Sequence, residues 1–192
     1  MKTNTLALVL SLAIPCFCWS TPPRLSDLIL PNPFSGSGSE IEAIRPYNEL
    51  IGTGIGKYDY PSFEGFPSTE LKYYLIDPTS GIGDEVSAEC AAAYIDMIMS
   101  FKEERNEAED VPPVRTTIIG VDCLIYDYPN QKRMMGYLLK QYIVEFYIPE
   151  HKRVYAISFE AFWNPESKYP YNHKYTPMKV KKALKDFIAH NK

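Results

Sequence analysis

Residues 137–162 read Tyr137-Leu-Leu-Lys-Gln-Tyr142-Ile-Val-Glu-Phe-Tyr-Ile148-Pro-Glu-His-Lys-Arg153-Val-Tyr-Ala-Ile-Ser-Phe159-Glu-Ala-Phe162, and this stretch decides the fold. Apolar residues recur at every second position, the period of a strand with one buried face. Tyr142, Val144, Phe146 and Ile148 share one side, with Gln141 and Glu145 opposite. The turn Pro149-Glu150-His151-Lys152 interrupts the pattern, and Tyr155, Ile157 and Phe159 then restore it. Two antiparallel strands are expected.

Working outward, Arg115 to Tyr126 has the same alternation and is expected as one further strand. Ile119, Val121, Cys123 and Ile125 fall on one face, and Ile118, Gly120, Asp122 and Leu124 on the other. Glu70 to Ile76 is another strand candidate, while Leu50 to Pro67, with four glycines, reads as loop holding at most one short strand. Asp84 to Ala108 carries Cys90, Tyr94, Met97, Ile98 and Phe101 at helical spacing, with Ser87 as N-cap. A last helix is expected behind an N-cap at Thr176, with Pro177 at its first position and an apolar stripe of Val180, Leu184, Phe187 and Ile188. The expectation is an α+β fold, an antiparallel β-sheet meander with two main amphipathic helices packed on it.

The N-terminus reads as an export signal. Lys2 precedes an apolar run from Leu6 to Ile14, Pro15 ends it, and Cys18-Trp19-Ser20 supplies small residues at the positions a signal peptidase reads. Residues 1–20 are therefore expected as a signal peptide, 21–40 as a flexible Pro/Ser/Gly linker, and 41–192 as one globular domain, periplasmic or secreted. The run is shorter than the roughly 18 to 20 apolar residues of a membrane span, so no transmembrane segment is expected in the mature chain. Removing twenty of the 192 residues takes away one charged residue, Lys2, and moves the net charge from -4 to -5. A mildly acidic chain lacks the clustered cations that neutralise phosphates, which argues against nucleic acid.

Of the 4 cysteines, Cys90 and Cys123 remain after cleavage. In an oxidising compartment they are expected to form a disulfide between the main helix and the sheet, closing a loop worth roughly 3 to 4 kcal/mol; two separate buried thiols are the alternative.

The order helix, long strand, paired strands ending in Val154-Tyr155-Ala156-Ile157-Ser158-Phe159, loop and terminal helix ending in Leu184-Lys185-Asp186-Phe187-Ile188 resembles the PsbP-like and DcrB-like exported domains over Glu70 to Lys192. The resemblance implies an accessory or partner-binding role and carries over no site residues.

Chemistry-bearing motifs are sparse. Gly52-Thr53-Gly54-Ile55-Gly56 lacks the strand-to-helix context and the Lys-Ser/Thr of a phosphate loop. His151, His173 and His190 show no metal-ligand spacing, and neither a metal nor another cofactor is expected. Asp122 and Glu145 are a candidate carboxylate pair for acid–base work, or simply solvated. The loop Phe162 to Tyr175 sets Trp163, Tyr169, Tyr171 and Tyr175 among polar residues, as protein-contact surfaces do; the same rings could instead cap the sheet edge. The functional expectation is an exported, non-enzymatic domain that binds another protein, an inhibitor or immunity protein of the cell envelope being one form. A small secreted hydrolase using surface carboxylates and a carrier of apolar ligands are the competing readings.

Overall fold

The computed structural model describes residues 22–33, 39–42, 52–60, 68–76, 88–104, 112–134, 137–163, 166 and 175–192. Its elements are β1 (Ser39–Glu42), β2 (Thr53–Tyr60), β3 (Ser68–Ile76), α1 (Ala88–Glu104), β4 (Val114–Ile118), β5 (Val121–Met134), β6 (Tyr137–Ile148), β7 (Arg153–Trp163) and α2 (Tyr175–Asn191).

The expected α+β arrangement, a meander carrying two packed helices, is not what forms. One seven-stranded sheet of order β1-β2-β3-β7-β6-β5-β4 dominates the molecule, and each adjacent pair is antiparallel. It is two meanders, β1-β2-β3 and β4-β5-β6-β7, closed against each other where β3 pairs with β7 from Ser68↔Phe162 to Ile76↔Val154.

The helices take opposite faces. Strand alternation sends Tyr73, Phe146, Tyr155 and Ile157 to one side, where they pack with Val180, Leu184, Phe187 and Ile188 of α2. The intervening residues Tyr74, Leu124, Ile143 and Ala156 point the other way and meet Ala91, Tyr94 and Ile95 of α1. Phe187 is the keystone of the first layer, with its ring 5.9 Å from Tyr73, 5.6 Å from Phe146 and 5.3 Å from Tyr155. Four aromatic rings at offset or edge-on contact add to the area term that drives burial.

On α1 the buried stripe is rotated from the expected one. Ala91, Tyr94 and Ile95 are buried, Met97 and Ile98 are half-buried, and Cys90 is exposed. The start of that helix at Asp84 and its Ser87 cap lie outside the described residues. On α2 the expected stripe is buried, but the helix opens at Tyr175, and the buried Thr176 Oγ1 has no hydrogen-bond partner among the described residues.

Two strand boundaries also moved. Arg115 to Tyr126 is not one strand: the chain reverses at Ile119-Gly120, with φ of 46° and 78°, into a two-residue hairpin joining β4 to β5. Positive φ at both central residues is the turn whose twist matches that of the flanking strands. Residues 53–60, read as mostly loop, form β2, with a bulge between Gly54 and Gly56.

The segment expected as flexible linker is docked in its first half. Residues 22–33 run along the α2 face, with a short 3-10 turn at Leu25–Asp27 and with Leu28, Pro31 and Pro33 buried.

Candidate functional site

Three tyrosines on neighbouring strands receive this docked segment. Tyr58 and Tyr60 of β2 share a face, their rings stacked at 6.4 Å, and Tyr73 of β3 lies on the same side. Tyr58 Oη donates to Leu30 O at 2.6 Å, Tyr60 Oη to Asn32 Oδ1 at 2.5 Å, and Tyr73 Oη to Pro31 O. The flanks repeat the chemistry. Arg153 Nη1 donates to Pro23 O at 2.6 Å, Lys179 Nζ to Pro33 O at 3.2 Å, and Asn191 Nδ2 to Ile29 O at 2.8 Å. Asn191 Oδ1 also accepts from Ile29 N at 2.8 Å. Five strap carbonyls, those of Pro23, Ile29, Leu30, Pro31 and Pro33, thus accept from side chains of β2, β3, β7 and α2. Burial, then the neighbouring Tyr58 and Tyr60, pushes the Tyr73 hydroxyl well above its ordinary pKa, so it is held as a proton donor. Gly56 keeps the floor low: a Cβ there would sit 2.5 Å from Leu30 Cδ1. The glycine run that does not form a phosphate loop therefore includes a position where the strap leaves no room for a side chain on β2.

The opposite face carries a row of charged residues across β2, β3 and β7. Lys72 of β3, 4% exposed, places Nζ 2.6 Å from Glu70 and 3.0 Å from Glu160 of β7. Gln141 Nε2 donates to the other Glu160 oxygen at 3.0 Å, and Lys57 extends the row to Asp59 at 2.9 Å. Burial works to lower the Lys72 pKa, but the two carboxylates outweigh it and the net shift is upward. Under α1, Glu145 accepts from Tyr94 Oη at 2.8 Å and from Tyr126 Oη at 3.2 Å. Its pKa is raised by burial, against which the two phenols pull.

The expected carboxylate pair is thereby divided. Glu145 belongs to the two tyrosines, while Asp122 pairs with Arg115, which donates through Nε at 2.9 Å and reaches Asp96 of α1 at 2.7 Å. His151, expected in a turn, is there but buried, with Nδ1 2.9 Å from Tyr155 Oη. His190 Nδ1 lies 2.6 Å from Asp186 O, and His173 is outside the described residues. Among the described residues no group of three His, Cys, Asp or Glu side chains could hold a metal ion, and no helix is long and apolar enough to cross a membrane.

The expected disulfide does not form in this structure: neither Cys90 nor Cys123 is disulfide-bonded. The reason is the placement of the helices. Cys123 points into the layer under α2, α1 lies on the other face, and Cys90 is turned outward. Of the four aromatic residues expected to bind a partner, Trp163 ends β7 opposite Leu138 and Tyr175 opens α2. The side chains of these two, and all of Tyr169 and Tyr171, lie outside the described residues.

The tyrosine cradle was missed because the strap was read as linker. Leu25, Leu28 and Leu30, spaced through the proline-bearing segment, were the available sign that it had something to bury. No family model matches this sequence, and no curated protein matches it.

Proposed function

We propose that the chain is an exported, non-enzymatic domain that binds another protein, with an inhibitor or immunity protein of the cell envelope as its concrete form. The observation that carries this reading is the tyrosine cradle. Through Tyr58, Tyr73, Arg153, Lys179 and Asn191 it holds residues 22–33 of this chain by their backbone carbonyls, the kind of contact that a segment of another polypeptide would also offer. Two further facts favour binding over acid–base chemistry: Glu145 is engaged by Tyr94 and Tyr126, and Asp122 by Arg115. Export rests on Lys2 and the apolar run Leu6 to Ile14. Trp163, Tyr169, Tyr171 and Tyr175 are proposed as a second contact region.

The test is affinity capture of the mature protein from its native envelope in three forms: unaltered, Tyr58→Phe with Tyr73→Phe, and Trp163→Ala with Tyr171→Ala. A specific protein retained by the unaltered chain and lost from at least one variant supports the reading. The same set of proteins on all three, or none on the unaltered chain, refutes it.

A further inference from the structure

The strap over the cradle has the form of a bound ligand. Residues 22–33 pair with none of the described strands; the carbonyls of Pro23, Ile29, Leu30, Pro31 and Pro33 are taken by side-chain donors, and Leu28, Pro31 and Pro33 are buried while Ile29 is exposed and Asn32 reaches Tyr60 through its Oδ1. Arg24 and Leu28, on either side of the 3-10 turn, have φ, ψ of -65°, 146° and -71°, 132°, close to polyproline II values, and Pro31 and Pro33 fix their own φ near about -65°. Aromatic-lined grooves that read such segments exploit a conformation already ordered before binding. Stacked Tyr58 and Tyr60, with Tyr73 beside them, are such a groove.

We propose that the cradle is a peptide-binding groove for a proline-bearing, extended segment of a partner polypeptide, and that residues 22–33 are its built-in competitor. This rests on the protein-binding reading above and names the site and the chemistry of its ligand. The occupant is defined by what is seated there: an apolar residue at the position of Leu28, prolines at those of Pro31 and Pro33, and carbonyls presented between them. Cleavage after Ser20 would leave the strap as the free end of the chain, able to peel away without opening a loop. Five residues, Phe34-Ser35-Gly36-Ser37-Gly38, join Pro33 to β1 in the sequence. A strap tethered to its site acts at an effective concentration of about 1 mM, so if the strap segment's own dissociation constant is on the order of 10 µM, any competing peptide binds the closed chain about 100-fold more weakly than the open one.

The experiment uses the full mature chain and, as probe, a fluorescent peptide with the sequence of residues 24–33. Leu28→Asp with Pro31→Asp expels the strap without altering the cradle. The expected result is probe affinity at least tenfold higher for the strap-expelled chain than for the unaltered one, with the gain abolished when Tyr58→Phe and Tyr73→Phe are added. Absence of saturable binding to a strap-expelled chain with native circular dichroism overturns the proposal, as does binding indifferent to the tyrosine substitutions. Should the expelled chain fail to fold, a photo-crosslinkable probe at millimolar concentration is applied to the unaltered chain. Crosslinks to β2 or α2 then support the proposal, and their absence overturns it. Strap exchange between differently labelled unaltered chains, with a dimer that grows with concentration, would make a second copy the occupant and overturn the proposal of a partner. Envelope capture that survives Tyr58→Phe with Tyr73→Phe but is lost with Trp163→Ala and Tyr171→Ala leaves the protein-binding reading standing and removes the cradle as its site.

Discussion

Gly52 and Gly120 both have positive φ, 128° and 78°, yet the same substitution should cost very different amounts at the two. At Gly120 an added Cβ meets nothing within 4 Å, so Gly120→Ala carries only the left-handed backbone penalty. That penalty is about 1 kcal/mol, partly offset by about 0.5 kcal/mol from a less flexible unfolded chain. At Gly52 the Cβ would lie 2.3 Å from Leu75 O and 3.2 Å from Ile76 Cα. These are backbone atoms of β3, held on both sides by β2 and β7, so they cannot retreat without breaking register. Adding a packing clash of about 1 to 3 kcal/mol to backbone strain of similar size gives about 3 kcal/mol or more for Gly52→Ala. For a domain of this length each kcal/mol moves Tm by about 2 to 4 °C. Gly52→Ala should therefore melt at least about 5 °C below Gly120→Ala, with urea midpoints in the same order. Equal melting temperatures for the two variants would refute the close approach of β2 to β3 at this position.

Glu145 predicts a pH dependence of definite sign. Burial raises its pKa above the ordinary 4.5, so the folded state binds more protons than the unfolded one, and its contribution is most favourable at low pH. It is lost as pH rises from 4.5 through the raised value, so Glu145→Gln should gain stability relative to the unaltered chain between pH 4.5 and 7 in paired thermal melts; a constant difference would contradict the burial. Lys72→Met leaves Glu70 and Glu160 facing each other as register partners with only Lys57, 3.8 Å from Glu70, and Gln141 to offset them, and should cost about 3 kcal/mol by urea unfolding, part of which Glu160→Gln restores. Thiol titration of unreduced chain should find Cys90 reacting at once. Cys123, whose pKa burial pushes up to about 12, should react only on unfolding. No thiol in denatured, unreduced protein would restore the bridge.

What could be read from the sequence was local and periodic. β6 and β7 follow from strict alternation around Pro149-Glu150-His151-Lys152, and His151 N and Lys152 N close that turn on Ile148 O and Pro149 O at 3.2 Å each. The β4–β5 hairpin was hidden because Ile119 occupies a position that asparagine usually fills, and apolar alternation runs straight through it; Gly120 was the one sign of a break. Which face of the sheet each helix covers is not encoded by helical period at all. The stripe on α2 was legible because Val180, Leu184, Phe187 and Ile188 stand among lysines. On α1 alanines surround the apolar residues, so small residues left the rotation open, and the disulfide inference followed the wrong side. The charged row was beyond reach for a related reason, since Glu70 meets Glu160 and Lys72 meets Ser158 only once β3 is known to pair with β7.

The strap shows why a proline-bearing segment reads as coil and still binds in one place. Pro31 and Pro33 have no N–H, so neither position can complete a strand ladder, and local pattern offers the segment no partner. What remains at these two positions is the carbonyl, and a surface that reads it must supply donors from side chains. Tyr73 and Lys179 do so from 42 and 146 residues away along the chain. Recognition by donors at Pro31 and Pro33 also sets selectivity there. At the Pro31 and Pro33 positions a residue with a free N–H would have to leave water for a face that offers it tyrosine and lysine donors. An unmatched buried N–H costs about 1 to 3 kcal/mol, a penalty that proline does not incur. The cradle thus discriminates for proline through what proline lacks, and probe peptides with Pro31→Ala or Pro33→Ala should bind the strap-expelled chain about tenfold more weakly.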